Sequence, residues 1–377
     1  VSMADSSEVV VVGGGAAGCA VAYYLAKVGI KVTIVEREGV AAMASGFAAG
    51  GLNPLQGAGI PGPLAPLAPL AIQSFRMHQA IWAELIEGSG VDFGPKVISV
   101  VQVAFDEGEL DELTETHRIF ESAGDGFKAR WLDSAQLRKI EPGIASDSVR
   151  ALEVYGNAKL SSYRYTLALA QTAEKLGTLF RSGEVVGIKT TGDRVRSVVL
   201  RDGEIECESV VFATGPWSGQ VEGWLGVRIP GEPLKGEILR MRPPGILPPS
   251  CDFQGTGVSL YSREVQVWIG STEERKGFDA KPSESARDRL MAGALRLMPA
   301  MADAELVLHT ACLRPVTPDW LPIIGRAPGW DNAYLATGAG KKGILLSPGM
   351  GKAVADLISA GATDLPVAGL GPERFSE

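Results

Sequence analysis

Histidine is nearly absent from this chain. Only His78, His117 and His309 occur in 377 residues, with no H-E-x-x-H or similar cluster, which argues against a metal enzyme. Cysteine is almost as scarce. Cys19, Cys207, Cys251 and Cys312 stand apart without C-x-x-C spacing. They offer neither a zinc site nor a disulfide framework, and they fit a reduced, cytoplasmic setting. No run of ~18 uncharged apolar residues is present, so no transmembrane helix is expected. The longest interrupted apolar run, Ile60 to Ile72, carries four prolines and cannot span. A strand expected at Val9 begins almost at once, leaving no room for a secretory signal ahead of it. An excess of positive charge is missing too. The net charge of −8 disfavours nucleic acid as a bulk partner, yet a small anionic substrate answers to the local field and stays open.

What remains is an ordinary globular composition, 45% apolar and 21% charged, in a chain long enough for two or three domains. The chain is organised around Val9 to Glu36. Val9–Val12 is a β-branched run with no polar face, as expected of a parallel strand covered on both sides. Gly13, Gly15 and Gly18 then form a G-x-G-x-x-G pattern. The first allows a tight turn, the second lets a pyrophosphate approach the backbone, and the third lets a helix pack close to the strand. Ala16 and Ala17 open that helix, whose N–H groups and partial positive charge suit a diphosphate. A second strand, Lys31 to Val35, ends in Glu36, 18 residues after Gly18, near the ~20-residue offset at which a carboxylate meets a ribose hydroxyl. That carboxylate would repel a phosphorylated ribose, which disfavours NADP and leaves NAD and FAD.

Beyond Arg37, the small-residue stretch from Ala41 to Leu52 lets backbone crowd against a ligand. Asn53 to Pro69 is dense in proline and glycine and reads as a surface loop. Helical spacing returns over 71–87. Strand character over 97–105, a charged helix over 109–122 and a helix over 131–140 do not continue the nucleotide-binding pattern and suggest an inserted second domain. A helix is expected over 161–175, then strands over 178–189, 194–200 and 204–207, joined by Gly192-Asp193 and Asp202-Gly203 turns. Ser209 to Thr214 reads as another buried strand, ending in Gly215-Pro216-Trp217, where a doubly wound sheet presents a ligand crevice. Segments 231–242, 258–262 and 265–270 alternate as antiparallel strands do. A strand over 306–313, short strands over 322–325 and 333–337, and a helix over 347–359 complete the reading.

Several of these stretches together resemble one family, the FAD-dependent amino-acid and amine oxidases of the D-amino-acid oxidase, glycine oxidase and sarcosine oxidase group. The resemblance covers essentially the whole chain. It rests on the fingerprint with Glu36, on Ser45 to Leu52, and on ATGPWS from Ala213 to Ser218. It rests further on LRPVTPDWLPIIG from Leu313 to Gly325 and on ATGAGKKGILLSPGMG from Ala336 to Gly351. It implies an α/β fold, α+β overall, with a discontinuous Rossmann-like FAD domain (1–80, 145–225 and 310–377) and a substrate domain on a mixed antiparallel sheet (81–144 and 226–309). FAD, held without a covalent bond, is the implied cofactor. Gly13 to Gly18, Glu36 and Arg37 would take the adenosine and diphosphate. Ala44, Ser45, Ala49, Gly50 and Gly51 would line diphosphate and flavin, and Val185 would hold adenine through its backbone. Thr214, Gly215 and Trp217 join the cofactor candidates, Trp217 serving equally well as a packing residue. Ala339, Gly340, Lys341, Lys342, Gly343, Ile344 and Leu345 would cradle the flavin edge.

For the substrate, the resemblance singles out Arg314, whose guanidinium fork suits a carboxylate; a salt bridge to Asp319 is the competing role. Lys341 replaces a second arginine of the glycine oxidase branch, and Tyr261 lies in the segment that supplies a substrate-contacting tyrosine in relatives. Cys312 falls where some sarcosine oxidases bind flavin covalently, and a buried unreactive thiol is the simpler role. The implied activity is flavin-dependent oxidation of the C–N bond of an amino acid or N-alkyl amino acid. Hydride passes to the flavin, and peroxide forms if oxygen is the acceptor. A dehydrogenase feeding another carrier, or a 2-hydroxy-acid oxidase of the same fold, stays open, as does a homo-oligomer.

Overall fold

The computed structural model describes residues 5–57, 60, 62, 65–124, 126–243 and 251–376. Much of the proline-dense stretch 58–64 lies outside the described residues.

The β-branched run forms the middle of a first sheet. Asp5–Val12 pairs in parallel with Val32–Glu36 on one side and Gly203–Phe212 on the other. The full order is Ile323–Arg326, Ala333–Thr337, Gly203–Phe212, Asp5–Val12, Val32–Glu36 and Leu179–Ser182. Only Ile323–Arg326 runs antiparallel along this path. A hairpin of Val185–Thr191 and Arg194–Leu200 hangs from the lower half of Gly203–Phe212. The helices Ala16–Lys27, Ala68–Ser89, Ser162–Lys175 and Gly343–Ala360 pack against one another over one face. Tyr23, Ile34, Leu70, Leu169, Leu346 and Met350 are fully buried there. Full burial of one such leucine or isoleucine stabilises by roughly 1.5–3 kcal/mol.

The second sheet is mixed. Its order is Glu305–Val316, Glu232–Arg242, Gln266–Gly270, Val258–Arg263, Asp252–Gly255, Lys96–Ala104, Arg150–Lys159 and Gly51–Leu52, with Lys128–Leu132 also on Arg150–Lys159. Only the Asp252–Gly255 and Lys96–Ala104 pair is parallel. Alternate residues Leu239, Phe253, Leu260 and Ile269 turn to a core shared with the helix Glu284–Leu297. The opposite face holds Tyr261, Gln254 and Ser259, as the two-residue period requires. No helix among the described residues is long and apolar enough to cross a membrane.

Local expectations and structure differ in instructive places. The segments 204–207 and 209–214 form one strand, Gly203–Phe212, which pairs in parallel with Asp5–Val12 from Ile205 onward and, over its first residues, also with the hairpin strand on its other side. The expected strand 178–189 divides into Leu179–Ser182 and Val185–Thr191, which pair with different partners. The helix expected over 131–140 is a strand, Lys128–Leu132, followed by Ser134–Ile140, because Asp133 caps that helix by accepting from Ala135 N and Gln136 N. The expected domain boundaries also cut across the sheets. Arg150–Lys159 and the start of Glu305–Val316 through Val316 belong to the second sheet, whereas Ile81 and Leu85 pack in the core of the first. Long-range strand pairing, invisible to local pattern, decides those memberships.

One contact fixes the helix that closes the first sheet against the second. Gly343–Ala360 contains Pro348, which has no N–H to give the carbonyl of Ile344 four residues earlier. His78 Nε2 donates to that carbonyl at 2.9 Å, and Ser347 Oγ donates to it at 2.8 Å. Tyr165 lies 3.0 Å from the same Ser347 hydroxyl. Burial pushes the His78 pKa down to about 4, against weaker support from the backbone carbonyls of the helix. The folded state thus favours neutral His78. Its contribution is complete above the ordinary histidine value of ~6.5 and is lost as pH falls from there towards 4, about 3 kcal/mol at most. Thermal unfolding between pH 7.5 and 4.5 is expected to show a steeper acid loss in the wild type than in His78→Gln. Parallel curves would remove His78 as the cause.

Candidate active site

A cavity of about 710 Å³ runs between the two sheets, lined by residues of both. At one end is the glycine turn. Gly13 has φ of 111°, and a Cβ there would lie 2.5 Å from the carbonyl oxygen of Ala213. A Cβ on Gly18 would lie 2.0 Å from the Gly13 carbonyl oxygen. Gly18 is thus the one member of the expected cofactor set that does not line the cavity; its part is to let helix and strand touch. Gly15 is different, for a Cβ there would meet only Ser45 Oγ, at 3.2 Å, and would otherwise project toward open space. Gly14 N donates to Glu36 Oε2 at 2.6 Å, Glu38 N donates to Glu36 Oε1 at 2.9 Å, and Ala16 N donates to Ser45 Oγ at 2.9 Å.

The remaining cofactor candidates line the same cavity. Ala16, Ala17, Glu36, Arg37, Ala44, Ser45, Ala49, Gly50, Gly51, Val185, Thr214, Gly215 and Trp217 surround its first half. The Arg37 guanidinium stacks 4.3 Å from the Trp217 ring, which itself stacks on Phe278. Ala339, Gly340, Lys341, Lys342, Gly343, Ile344 and Leu345 border the middle of the cavity.

At the far end stands Arg314. Its strand, Glu305–Val316, pairs with Glu232–Arg242 so that Cys312 faces Gly236. The Arg314 side chain folds back over Gly236, where a Cβ would lie 2.1 Å from the guanidinium. Arg314 NH1 donates to the carbonyl of Thr272 at 3.0 Å. Thr272 is itself held by Glu237, whose N–H donates to Thr272 Oγ1 at 3.0 Å. Glu237 is fully buried. Burial raises its carboxyl, but the Ser283 N–H and hydroxyl and the Lys235 ammonium outweigh that and hold it below the usual carboxylate range. Arg314 has no carboxylate partner among the described residues. Asp319, its expected competitor, is paired with Arg374 at 2.9 Å. The Tyr261 phenol is pushed up by burial, opposed by the Ser259 hydroxyl and by Arg314. Burial also pushes the Cys312 thiol up, with Arg314 pulling the other way.

The two lysines have separate surroundings. Lys341 pairs with Glu273 and lies 5.8 Å from the Trp320 ring centre, so its charge is already matched at the cavity rim. Lys342 is buried and donates to Asn53 O at 3.0 Å and to Asn53 Oδ1 and Gln56 O. Burial, with the Lys341 charge beside it, pushes its pKa down to about 7. Gly236, Thr272, Glu237, Glu273 and the glutamines 56, 102 and 254 were not among the expected site residues. Gln56, Gln102, Gln254 and Glu273 line the cavity, while Gly236, Glu237 and Thr272 act on it through Arg314; only the mid-strand glycine at 236 carried a local signal.

The comparisons place the chain. The model of the FAD dependent oxidoreductase family matches residues 8–357, and the chain belongs to that family. A glycine oxidase of Pseudomonas aeruginosa is 32% identical over 358 residues, covering 94% of this chain and 95% of the relative. A D-amino acid dehydrogenase of Xanthobacter autotrophicus is 28% identical over 421 residues, covering 98% of this chain and 99% of the relative. The crystal structure of glycine oxidase from Geobacillus kaustophilus superposes with a TM-score of 0.91 at 29% identity, covering 98% of this chain and 99% of that one. The protein is an FAD-dependent oxidoreductase, and its cavity fits the cofactor. The open approach at Gly15 suits a diphosphate, and the Glu36 carboxylate, oriented by the N–H groups of Gly14 and Glu38, suits a ribose hydroxyl.

Glu36→Ala is expected to weaken FAD binding about tenfold or more, near 1.4 kcal/mol, the scale of one charge-assisted hydrogen bond. The ratio of 450 to 280 nm absorbance after dialysis, with a titration of the stripped protein, measures it. Full retention of FAD would show that Glu36 does not hold the ribose.

Proposed function

We propose that this enzyme oxidises the C–N bond of an amino acid or N-alkyl amino acid, with the substrate carboxylate on Arg314. One observation carries the reading: Arg314 lies in the cavity with a single backbone acceptor and no carboxylate among the described residues. A half-buried guanidinium without a counter-ion is a site prepared for an anion. The support for an amino-acid substrate is the similarity to glycine oxidase.

FAD, when bound, supplies the two-electron acceptor for the hydride. The protein's own work is positional. Arg314 grips the carboxylate through the guanidinium edge left free by Thr272. Gly236 beneath it lets the fork lie flat, and the Tyr261 hydroxyl adds a hydrogen bond within reach of the same anion. The substrate's Cα–H is thereby held in one orientation, and a bidentate grip converts that orientation into rate. The amine enters deprotonated. Loss of hydride from carbon leaves an iminium, which water hydrolyses to an oxo acid and free amine or ammonium. No acid–base pair is required at the carbon, in keeping with the shortage of histidine.

On this reading the first sheet serves the cofactor and the second sheet serves the substrate. The enzyme works in the cytoplasm, where its four cysteines remain reduced; none of the four forms a disulfide in the structure. Oxygen is the acceptor of first choice. The similarity to a D-amino acid dehydrogenase favours, as a second reading, transfer to another electron carrier, and peroxide yield in air separates the two.

Arg314→Leu is expected to lower kcat/KM by roughly 100-fold, about 2.7 kcal/mol, mostly through KM. Gly236→Ala should reproduce part of that loss by displacing the guanidinium. Anaerobic bleaching of the flavin band by amino acids gives both values. An Arg314→Leu enzyme with unchanged substrate affinity would reject the assignment.

A further inference from the structure

Past Arg314 and Tyr261 the cavity continues along the second sheet to a wall of amides that neither cofactor nor carboxylate accounts for. Gln102 and Gln254 stand opposite one another on the parallel strand pair, and Gln254 stands opposite Ser259 on the next. Ser259 lies two residues before Tyr261 on one strand, so all of them turn to the same face. Gln102, only 6% exposed, donates to Gln56 Oε1 and to Gln254 Oε1, each at 3.0 Å. Gln56 donates onward to Thr116 Oγ1 at 3.0 Å. The row leaves donors open at Gln254. Gln254 uses its oxygen, while its two N–H donors have no partner among the described residues, and the side chain lines the cavity.

Charge narrows what those donors await. Among the described residues the wall holds no free cation, because Lys342, which reaches Gln56, spends its donors on three carbonyl oxygens. Glu109 and Glu112 border this end of the cavity. Carboxylates at the rim oppose an incoming anion. An apolar group would bury the Gln254 donors unpaired, which costs free energy. A neutral group with an acceptor oxygen meets both conditions.

We propose that this amide wall is the side-chain subsite of the enzyme. It selects amino acids whose side chain or N-substituent ends in a carboxamide or hydroxyl, over apolar and over acidic ones of similar size. The inference rests on the amino-acid oxidation proposed above.

The test uses the FAD-saturated holoenzyme. Asparagine and glutamine are compared with leucine and methionine, and with aspartate and glutamate, in both configurations, with glycine as the unsubstituted substrate. The expected kcat/KM for the amide substrate is about tenfold or more above its apolar and acidic counterparts. In Gln254→Met the ratio of amide to apolar substrate is expected to fall to within about twofold of unity. Should that variant not retain FAD, Ser259→Ala, farther along the same row, carries the comparison with a smaller expected fall. Leucine or glutamate turned over as well as the amide overturns the subsite, as does an amide preference that survives substitution of Gln254. If glycine or other amino acids reduce the flavin without an amide preference, this inference alone fails. If no amino acid reduces it, the proposed function fails and this subsite with it.

Discussion

The carbonyl oxygen of Gly13 occupies the space where residue 18 would carry a side chain, and much of the molecule depends on that contact. A Cβ at position 18 would sit 2.0 Å from this oxygen, so the helix Ala16–Lys27 can touch the central strand only because Gly18 has none. The contact aims the first N–H groups of the helix into the cavity. It also sets the plane against which Ser162–Lys175 and Gly343–Ala360 pack. The Pro348 defect in the last of these helices is repaired by His78 and Ser347, which leaves its first turn ordered at the cavity wall. The glycine turn and the first turn of Gly343–Ala360, both at the cavity wall, are thus two ends of one packed layer.

The second sheet solves an electrostatic problem in the opposite sense. Glu237 and Lys235 are fully buried but lie 3.1 Å apart, the Ser283 N–H and hydroxyl donate to the carboxylate, and His309 Nε2 lies 2.8 Å from it. Arg263 and Asp252 likewise form a buried pair at 2.9 Å. Removing either member of such a pair would strand a charge, which is costly, so these pairs hold their strands in place. Arg314 sits among them with a carbonyl in place of a carboxylate. The surrounding charges are balanced locally, which leaves its own field directed into the cavity. That contrast gives the reading of Arg314 as the anion site its physical weight.

The glycine fingerprint, the β-branched strand and Glu36 were legible because they belong to one short strand–turn–helix–strand unit with fixed spacing. The helix beginning near Ser161 and the turns at Gly192 and Asp202 were legible for the same reason. Strand Arg150–Lys159 was not, because its pattern of glycine, asparagine and tyrosine carries no strict alternation, and its place comes from two partner strands. Trp131 lies in the strand Lys128–Leu132 where helical spacing had been expected, since pairing with Leu152 outweighs local propensity. Within the site, Arg314, Tyr261 and the flavin-edge residues followed from a family resemblance. Thr272 and Gly236, which determine how Arg314 points, had no such guide.

What the sequence determined by itself is therefore the local chemistry: a glycine turn between strand and helix, an acid at the end of the next strand, a guanidinium in a proline-bounded strand and few imidazoles or thiols. What the tertiary structure decided is which charges are satisfied and which are not. Asp319 pairs with Arg374, Lys341 with Glu273, and Lys342 with three carbonyl oxygens, while Arg314 and the amide of Gln254 are left facing the cavity. The reason is physical. Hydrogen bonds and ion pairs act over a few ångströms, and the partners of these groups lie tens to hundreds of residues away along the chain, brought together only by sheet register and helix packing.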